Sequence, residues 1–427
     1  MVFRAIGSSI VVMKLQETHR KDGLRIITVS LPNQRKVYVE LSSRVGSAYD
    51  PEDKRGLFHF FEHMAFKGTK RRSLQDIQSF TQRNLLEINA VTSPLVTSYY
   101  GVAVYTKMKE ACDFLCDIYC NSTFPKRELE KERRPIHLEI ARNEDDDSFV
   151  AGETLRQNLW KKNPIRISGG GTLEGVNAVQ REDIVRERDR WHIPASTVAI
   201  AIGKVNHQAF VREINKHIPL NTKPVAWSTW DDEHKELPEK QRIVVKKPGR
   251  KKAIVILGFK VPYHVSEKTK ACLSILSQLL SSGSGSRMYK EIREKRGLAY
   301  AVGGGFPSEA GLCRYFYAYV ETSLEHVAEV ERLLRKSMSE PLKNKLDFEE
   351  VHERMLDRVT IGFDNSFSLY ADMIWEKIAD SHPVKSVPQF FSIASRILKT
   401  ISLKDVEATR KEFFHPDRFV TVIVEPS

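Results

Sequence analysis

The sequence lacks the features that mark a membrane, secreted or nucleotide-binding chain. No apolar run comes near the roughly 18 residues of a membrane-spanning helix, so no membrane span is expected. The first nine residues, MVFRAIGSS, hold one arginine and a few apolar side chains, too little for a signal peptide. Cysteine is scarce, five in 427 residues, and an odd count without a secretion signal fits a reducing compartment. The glycine-serine run at 281–286, SSGSGS, lacks the Gly-Lys-Ser/Thr ending of a P-loop. It reads as a tight turn capping a helix, as does Gly169-Gly-Gly171.

What is present points to a large intracellular globular chain. Its length exceeds one typical core, so two or more domains are expected. Cys112, Cys116 and Cys120 share one helical face with the apolar residues around them, which reads as core packing rather than a cluster site. The net charge is +12, from 67 Lys and Arg against 55 Asp and Glu. That charge is scattered, so no nucleic-acid partner is expected. The densest run, Lys246 to Lys252, centres on a Pro-Gly turn between two β-like runs and reads as a solvated hairpin tip.

The chain repeats itself. Asp183 to Pro194 reads as an amphipathic helix with a proline stop, followed by the apolar run Val198–Ile202. Asp405 to Pro416 and then Phe419–Val424 give the same pattern, offset by 222 positions. An offset of half the chain means two copies of a large unit, not a solenoid. Residues 222–240 are polar, hold two prolines and show no periodicity, so they form the expected linker between domains at 1–221 and 241–427. Strand-like runs come in succession within each half, as at 23–43 and 242–260. The expected class is α+β, with a largely antiparallel sheet packed with helices in each of two homologous domains.

One stretch carries chemistry. In GLFHFFEHMAFKGT, residues 56–69, two histidines and a glutamate interrupt an apolar run. Burying such groups costs free energy unless they are paired or ligate a metal. His59 and His63 are four apart, one turn above each other on a helix, where one divalent ion meets both rings. Glu62 flanks the same face and can reach a water without being a ligand. His-x-x-Glu-His is the inverted form of the zinc-protease His-Glu-x-x-His. Phe58, Phe60, Phe61, Met64 and Phe66 argue against a merely solvated face. Downstream, Glu132 and Glu139 are seven apart, two helical turns on nearly one face.

With these residues the chain resembles the pitrilysin/insulinase family of zinc metallopeptidases. Within it, the chain is most similar to the half-size branch that holds the mitochondrial processing peptidase and its bacterial relatives. The resemblance implies one Zn²⁺ per chain on His59, His63 and Glu139, the last standing 76 positions after His63 as in the family. It implies Glu62 as general base and Glu132 as a second glutamate needed for activity. Asn89-Ala90-Val-Thr92 matches the family's substrate-lining strand, and Arg293 and Tyr300 match its substrate-contact pair. Arg293 would hold a substrate carbonyl, and the Tyr300 phenol would stabilise the oxyanion. Two positions depart from the family pattern. Leu85-Leu86 stands where a Gly-Gly pair is usual, and Pro135 interrupts the Glu132–Glu139 helix, where a kink is expected. Aligning the Gly68 and Gly283 turns sets Ser274, Ser277 and Gln278 opposite the zinc motif, so the second half is expected to bind no metal.

The resemblance therefore implies a zinc endopeptidase acting on extended peptides or unfolded segments. The implied setting is a homodimer, in the cytoplasm of a bacterium rather than a mitochondrial matrix. Two other readings share the sequence: a catalytically silent scaffold subunit of the same fold, and a basic nucleic-acid-binding protein with structural zinc.

Overall fold

In the computed structural model of the chain, residues 13–361, 367–379, 384 and 387–427 are described. The apolar runs of the first half form strands β1 (Lys14–His19), β2 (Arg25–Ser30), β3 (Lys36–Ser43), β4 (Glu87–Thr92), β5 (Thr97–Val104) and β6 (Thr197–Gly203). They make one sheet in the order β1-β2-β6-β3-β5-β4. The second half supplies β7 (Arg242–Lys247), β8 (Ala253–Val261), β9 (Ala301–Gly305), β10 (Ser308–Glu309), β11 (Cys313–Thr322) and β12 (Val420–Pro426). Their order is β10-β11-β8-β12-β7, with β9 also pairing with β11.

The two sheets share a plan. In each, the last strand of the half inserts between two strands that are consecutive in sequence. β6 runs parallel to β2 and antiparallel to β3. β12 runs parallel to β7 and antiparallel to β8. The remaining pairings are antiparallel. The class is α+β, as expected, and the repeat read from the sequence is a repeat of topology.

One expectation is corrected. Lys246–Lys252 is not the tip of a hairpin, because β12 lies between the strands it joins. Nor is the run merely solvated: Lys247 and Arg250 pair with Asp147 at 2.9 and 3.0 Å.

The described residues fall into two compact units, the first drawn from within 1–141, 168–228 and 366–388 and the second from within 142–167, 229–365 and 389–427. Each unit thus takes a helical segment from the opposite half of the sequence. In the first, helix Phe367–Ala379 reaches the sheet, and Trp375 Nε1 donates to Glu40 Oε1 of β3 at 2.9 Å. Tyr38 donates to the other Glu40 oxygen at 2.6 Å. Ser98 of β5 donates as well, at 3.0 Å, so this buried carboxylate is satisfied by donors from three elements. In the second unit, the helix Asp147–Leu159 packs on β8 and β12. Gly258 makes the approach possible: a Cβ there would lie 2.8 Å from a Leu155 methyl.

Four earlier helices organise the first unit: α1 (Leu57–Ala65), α2 (Leu74–Asn84), α3 (Met108–Asn121) and α4 (Lys126–Asp145). α3 buries Cys112 and Cys116 among Phe114, Leu115 and Ile118, so these thiols serve as small apolar side chains. The segment 222–240 has no regular element. It is anchored all the same, since buried Glu233 accepts from the backbone N–H groups of Lys161, Lys162 and Asn163 at 2.8, 2.9 and 2.5 Å.

Candidate metal centre

α1 is built to present polar groups from an apolar helix. Its start is fixed by buried Asp50, which accepts from Gly56 N at 2.7 Å and Phe58 N at 2.9 Å. These are N–H groups a helix leaves unpaired at its first turn. Gly56 holds φ 98°, which favours glycine. The backbone of Gly171 comes so close that a Cβ there would sit 2.3 Å from the Arg55 carbonyl oxygen. That contact gives the Gly169–Gly171 turn a packing role. Leu57, Phe58, Phe60, Phe61 and Met64 fill the core. The remaining face carries His59, Glu62 and His63.

α4 brings the third side chain. It is one continuous helix through Pro135, with Leu129, Ile136 and Ile140 buried. Glu132 and Glu139 both lie against α1. The Nε2 atoms of His59 and His63 are 3.2 Å apart, and Glu139 Oε2 stands 3.8 and 3.7 Å from them. Among the described residues these three are the one group of His, Cys, Asp or Glu side chains arranged to hold a metal ion. A tetrahedral zinc with bonds of about 2.0–2.1 Å spaces its ligand atoms roughly 3.3–3.4 Å apart. The donor triangle fits that ion in size and in chemistry.

The surrounding bonds orient these groups. His63 Nδ1 faces Glu132 Oε1 at 3.0 Å, and Glu132 Oε2 meets Lys67 Nζ at 2.5 Å. Thr92 Oγ1 donates to Glu62 Oε2 at 2.8 Å. Burial raises the Glu62 pKa above the usual carboxylate range, against the Thr92 hydrogen bond. Burial, then the neighbouring His63, push His59 down to about 4. Burial would lower His63 as well, but Glu132, Glu62 and Glu139 outweigh it and raise the ring. Burial works to raise Glu132, yet His63 and Lys67 hold it below the ordinary value.

β4 is the terminal strand of its sheet on this side. Asn89 is exposed and its Oδ1 accepts from Ala90 N at 2.9 Å, while Ala90 packs toward the core. Leu85 packs on the core and Leu86 is exposed. In the second unit, Arg293 donates from Nη1 to the Tyr300 carbonyl at 2.7 Å. The Tyr300 ring is exposed, with Lys252 Nζ 4.3 Å from its centroid. Ser274, Ser277 and Gln278 sit on the helix Glu267–Leu280 and offer no comparable donor set.

Sequence reasoning missed Lys67 and the bond from Thr92 to Glu62. Lys67 stands four residues after His63, the one available signal. Thr92 was marked by its motif for another role.

Comparison with known proteins gives this geometry a context. The model of the insulinase family, peptidase family M16, matches residues 25–172. That of the peptidase M16 inactive domain matches 178–355. The chain belongs to the M16 peptidase family. An uncharacterized zinc protease of Streptomyces coelicolor is 29% identical over 352 residues, 79% of this chain and 74% of that protein. A protease from Helicobacter pylori has the same fold, with a TM-score of 0.84 at 19% identity over 97% of this chain and 100% of that one. The periplasmic protease PqqL from Escherichia coli aligns at TM-score 0.77 and 16% identity, over 99% of this chain and 48% of its own. M16 relatives thus carry the name zinc protease, and this chain matches about half of the longer structure. No helix among the described residues is long and apolar enough to cross a membrane.

Proposed function

We propose that this M16 protein is a zinc endopeptidase that cleaves extended peptides or unfolded segments. The observation that carries the reading is the convergence of His59 Nε2, His63 Nε2 and Glu139 Oε2 beside Glu62. When bound there, zinc supplies a Lewis acid that polarises a peptide carbonyl and lowers the pKa of a water.

The remaining chemistry belongs to side chains of this chain. Thr92 holds one oxygen of Glu62 and leaves the other to take a proton from the attacking water. Glu62 then passes that proton to the leaving amine nitrogen. A peptide adds along the free edge of β4, past Asn89 and Ala90, by main-chain hydrogen bonds. Arg293 and Tyr300, joined through the Tyr300 carbonyl, form one module that would bind a substrate carbonyl and the oxyanion.

We further propose that the halves 1–221 and 241–427 act as a zinc-binding domain and a metal-free partner domain. Two copies form a homodimer in which the Arg293/Tyr300 module of one chain serves the centre of the other. The match to half of a longer relative supports this reading. An intact donor set and base weigh against a silent scaffold. Structural zinc usually has four Cys or His ligands, and the carboxylate here weighs against that alternative.

Elemental analysis tests the site. The wild type should carry one zinc per chain, and His59→Ala and Glu139→Ala should each lose it. A variant that retained a full equivalent would remove that residue from the ligand set.

A further inference from the structure

Outside the ligands and the base, Lys67 makes the closest charged contact to the centre's supporting residues. It lies just beyond the end of α1, where its N–H still donates to the Met64 carbonyl at 3.2 Å. Its ammonium reaches Glu132 Oε2 at 2.5 Å, and both side chains are largely covered, at 23% and 13% exposure. The other Glu132 oxygen faces His63 Nδ1 at 3.0 Å. Lys67, Glu132 and His63 therefore form a chain of two charge-assisted contacts ending on a donor residue of the metal centre.

We propose that Lys67 is a positioning residue of this centre. The inference rests on the metal site proposed above. An ionised carboxylate only accepts, so Glu132 Oε1 requires the proton to be on His63 Nδ1. That tautomer leaves the lone pair on Nε2, the atom that faces His59 and Glu139. A carboxylate held at one oxygen only can turn about its last bond and release the ring. Lys67 closes that freedom by pinning the second oxygen, and it balances a charge that would otherwise be covered and unpaired. An exposed lysine–carboxylate pair would contribute little. Here the pair acts through the imidazole it orients.

The experiment is a chelator competition for Zn²⁺, repeated with Co²⁺, on the full chain. The proteins are the wild type, Lys67→Met, Lys67→Arg, Glu132→Gln and the Lys67→Met/Glu132→Gln double variant. Losing an outer partner of a ligating histidine typically costs about 10–100-fold in metal affinity. Lys67→Met should weaken zinc binding by about 10-fold or more, and Lys67→Arg should recover most of the loss. Once Glu132 is a glutamine, removing Lys67 should cost less than about twofold, because residues in one network are not additive. The metal-free Tm of each variant separates this from a structural role, which would lower Tm in both backgrounds and leave affinity alone. If Lys67→Met fails to fold, Lys67→Gln carries the same comparison. Wild-type affinity in Lys67→Met, or losses that multiply in the double variant, would overturn the role of Lys67. A wild type that binds no zinc, or whose binding survives His59→Ala, would overturn the site itself and the inference with it.

Discussion

The Thr92 hydroxyl lies 2.8 Å from Glu62 Oε2 and donates to it. This bond ties the edge strand β4 to the helix that carries both histidines. It fixes the carboxylate rotamer without touching a ligand atom. A hydrogen bond to a charged group is worth about 1.5–3 kcal/mol. Thr92→Val should lower kcat by about 10-fold or more at unchanged zinc content, and Thr92→Ser should restore most of it. A valine variant with wild-type kcat would mean that Glu62 needs no such support.

The acid side of the stability profile should carry the signature of His192. Its ring stacks on Tyr119 at 3.9 Å and packs against Phe61, and Nδ1 donates to the Tyr119 carbonyl at 2.8 Å. Burial pushes its pKa down to about 3, against the usual 6.5. Between those values the unfolded chain binds a proton that the folded chain excludes. Falling pH therefore favours unfolding, by up to about 1.4 kcal/mol per pH unit below about pH 6.5. Urea unfolding at about pH 7.5 and about pH 5 should show the wild type losing about 2 kcal/mol more than His192→Phe. Equal losses in the two proteins would show that His192 titrates normally.

How much could be read in advance follows the range of each interaction. The pattern His59-x-x-Glu62-His63 is local, and helix geometry alone set its three side chains on one face. Glu139 needed the family spacing, since nothing within α4 distinguishes it from Glu132 or Glu130. The repeat was visible in Asp183–Pro194 and Asp405–Pro416. Its consequence, β6 and β12 inserting between earlier strands, was not, because alternation marks a strand but not its neighbour. For that reason the Lys246–Lys252 turn reads as a hairpin in the sequence and joins two strands that are not neighbours in the sheet. The helices at 147–159 and 367–379 each lie in the unit of the opposite half. Amphipathic periodicity says that a helix has a buried face, not which sheet buries it. Lys67 looked like one of many scattered cations until α4 placed Glu132 beside it.

A shared site should show itself in subunit mixing. Glu62→Gln and Tyr300→Phe are each expected to be nearly inactive alone. If the Arg293/Tyr300 module serves the partner's centre, a mixed dimer has one site with both defects and one with neither. Mixing should then restore activity toward half of wild type per mixed dimer. No recovery after demonstrated subunit exchange would contradict the arrangement in trans.

The central claim is that Glu62 is the base of a zinc-dependent peptide hydrolysis, and single-turnover cleavage of a peptide by wild type and Glu62→Gln tests it most directly. Both proteins are first brought to one zinc per chain and checked for the same fold. An amide cannot take the water's proton, and losing a general base typically costs on the order of 10²–10⁴-fold. The account predicts cleavage by the wild type, its loss on chelation, and a fall of that size in Glu62→Gln with peptide still bound. Cleavage by Glu62→Gln within a few-fold of the wild type, or none by the zinc-loaded wild type over a peptide library, would contradict it.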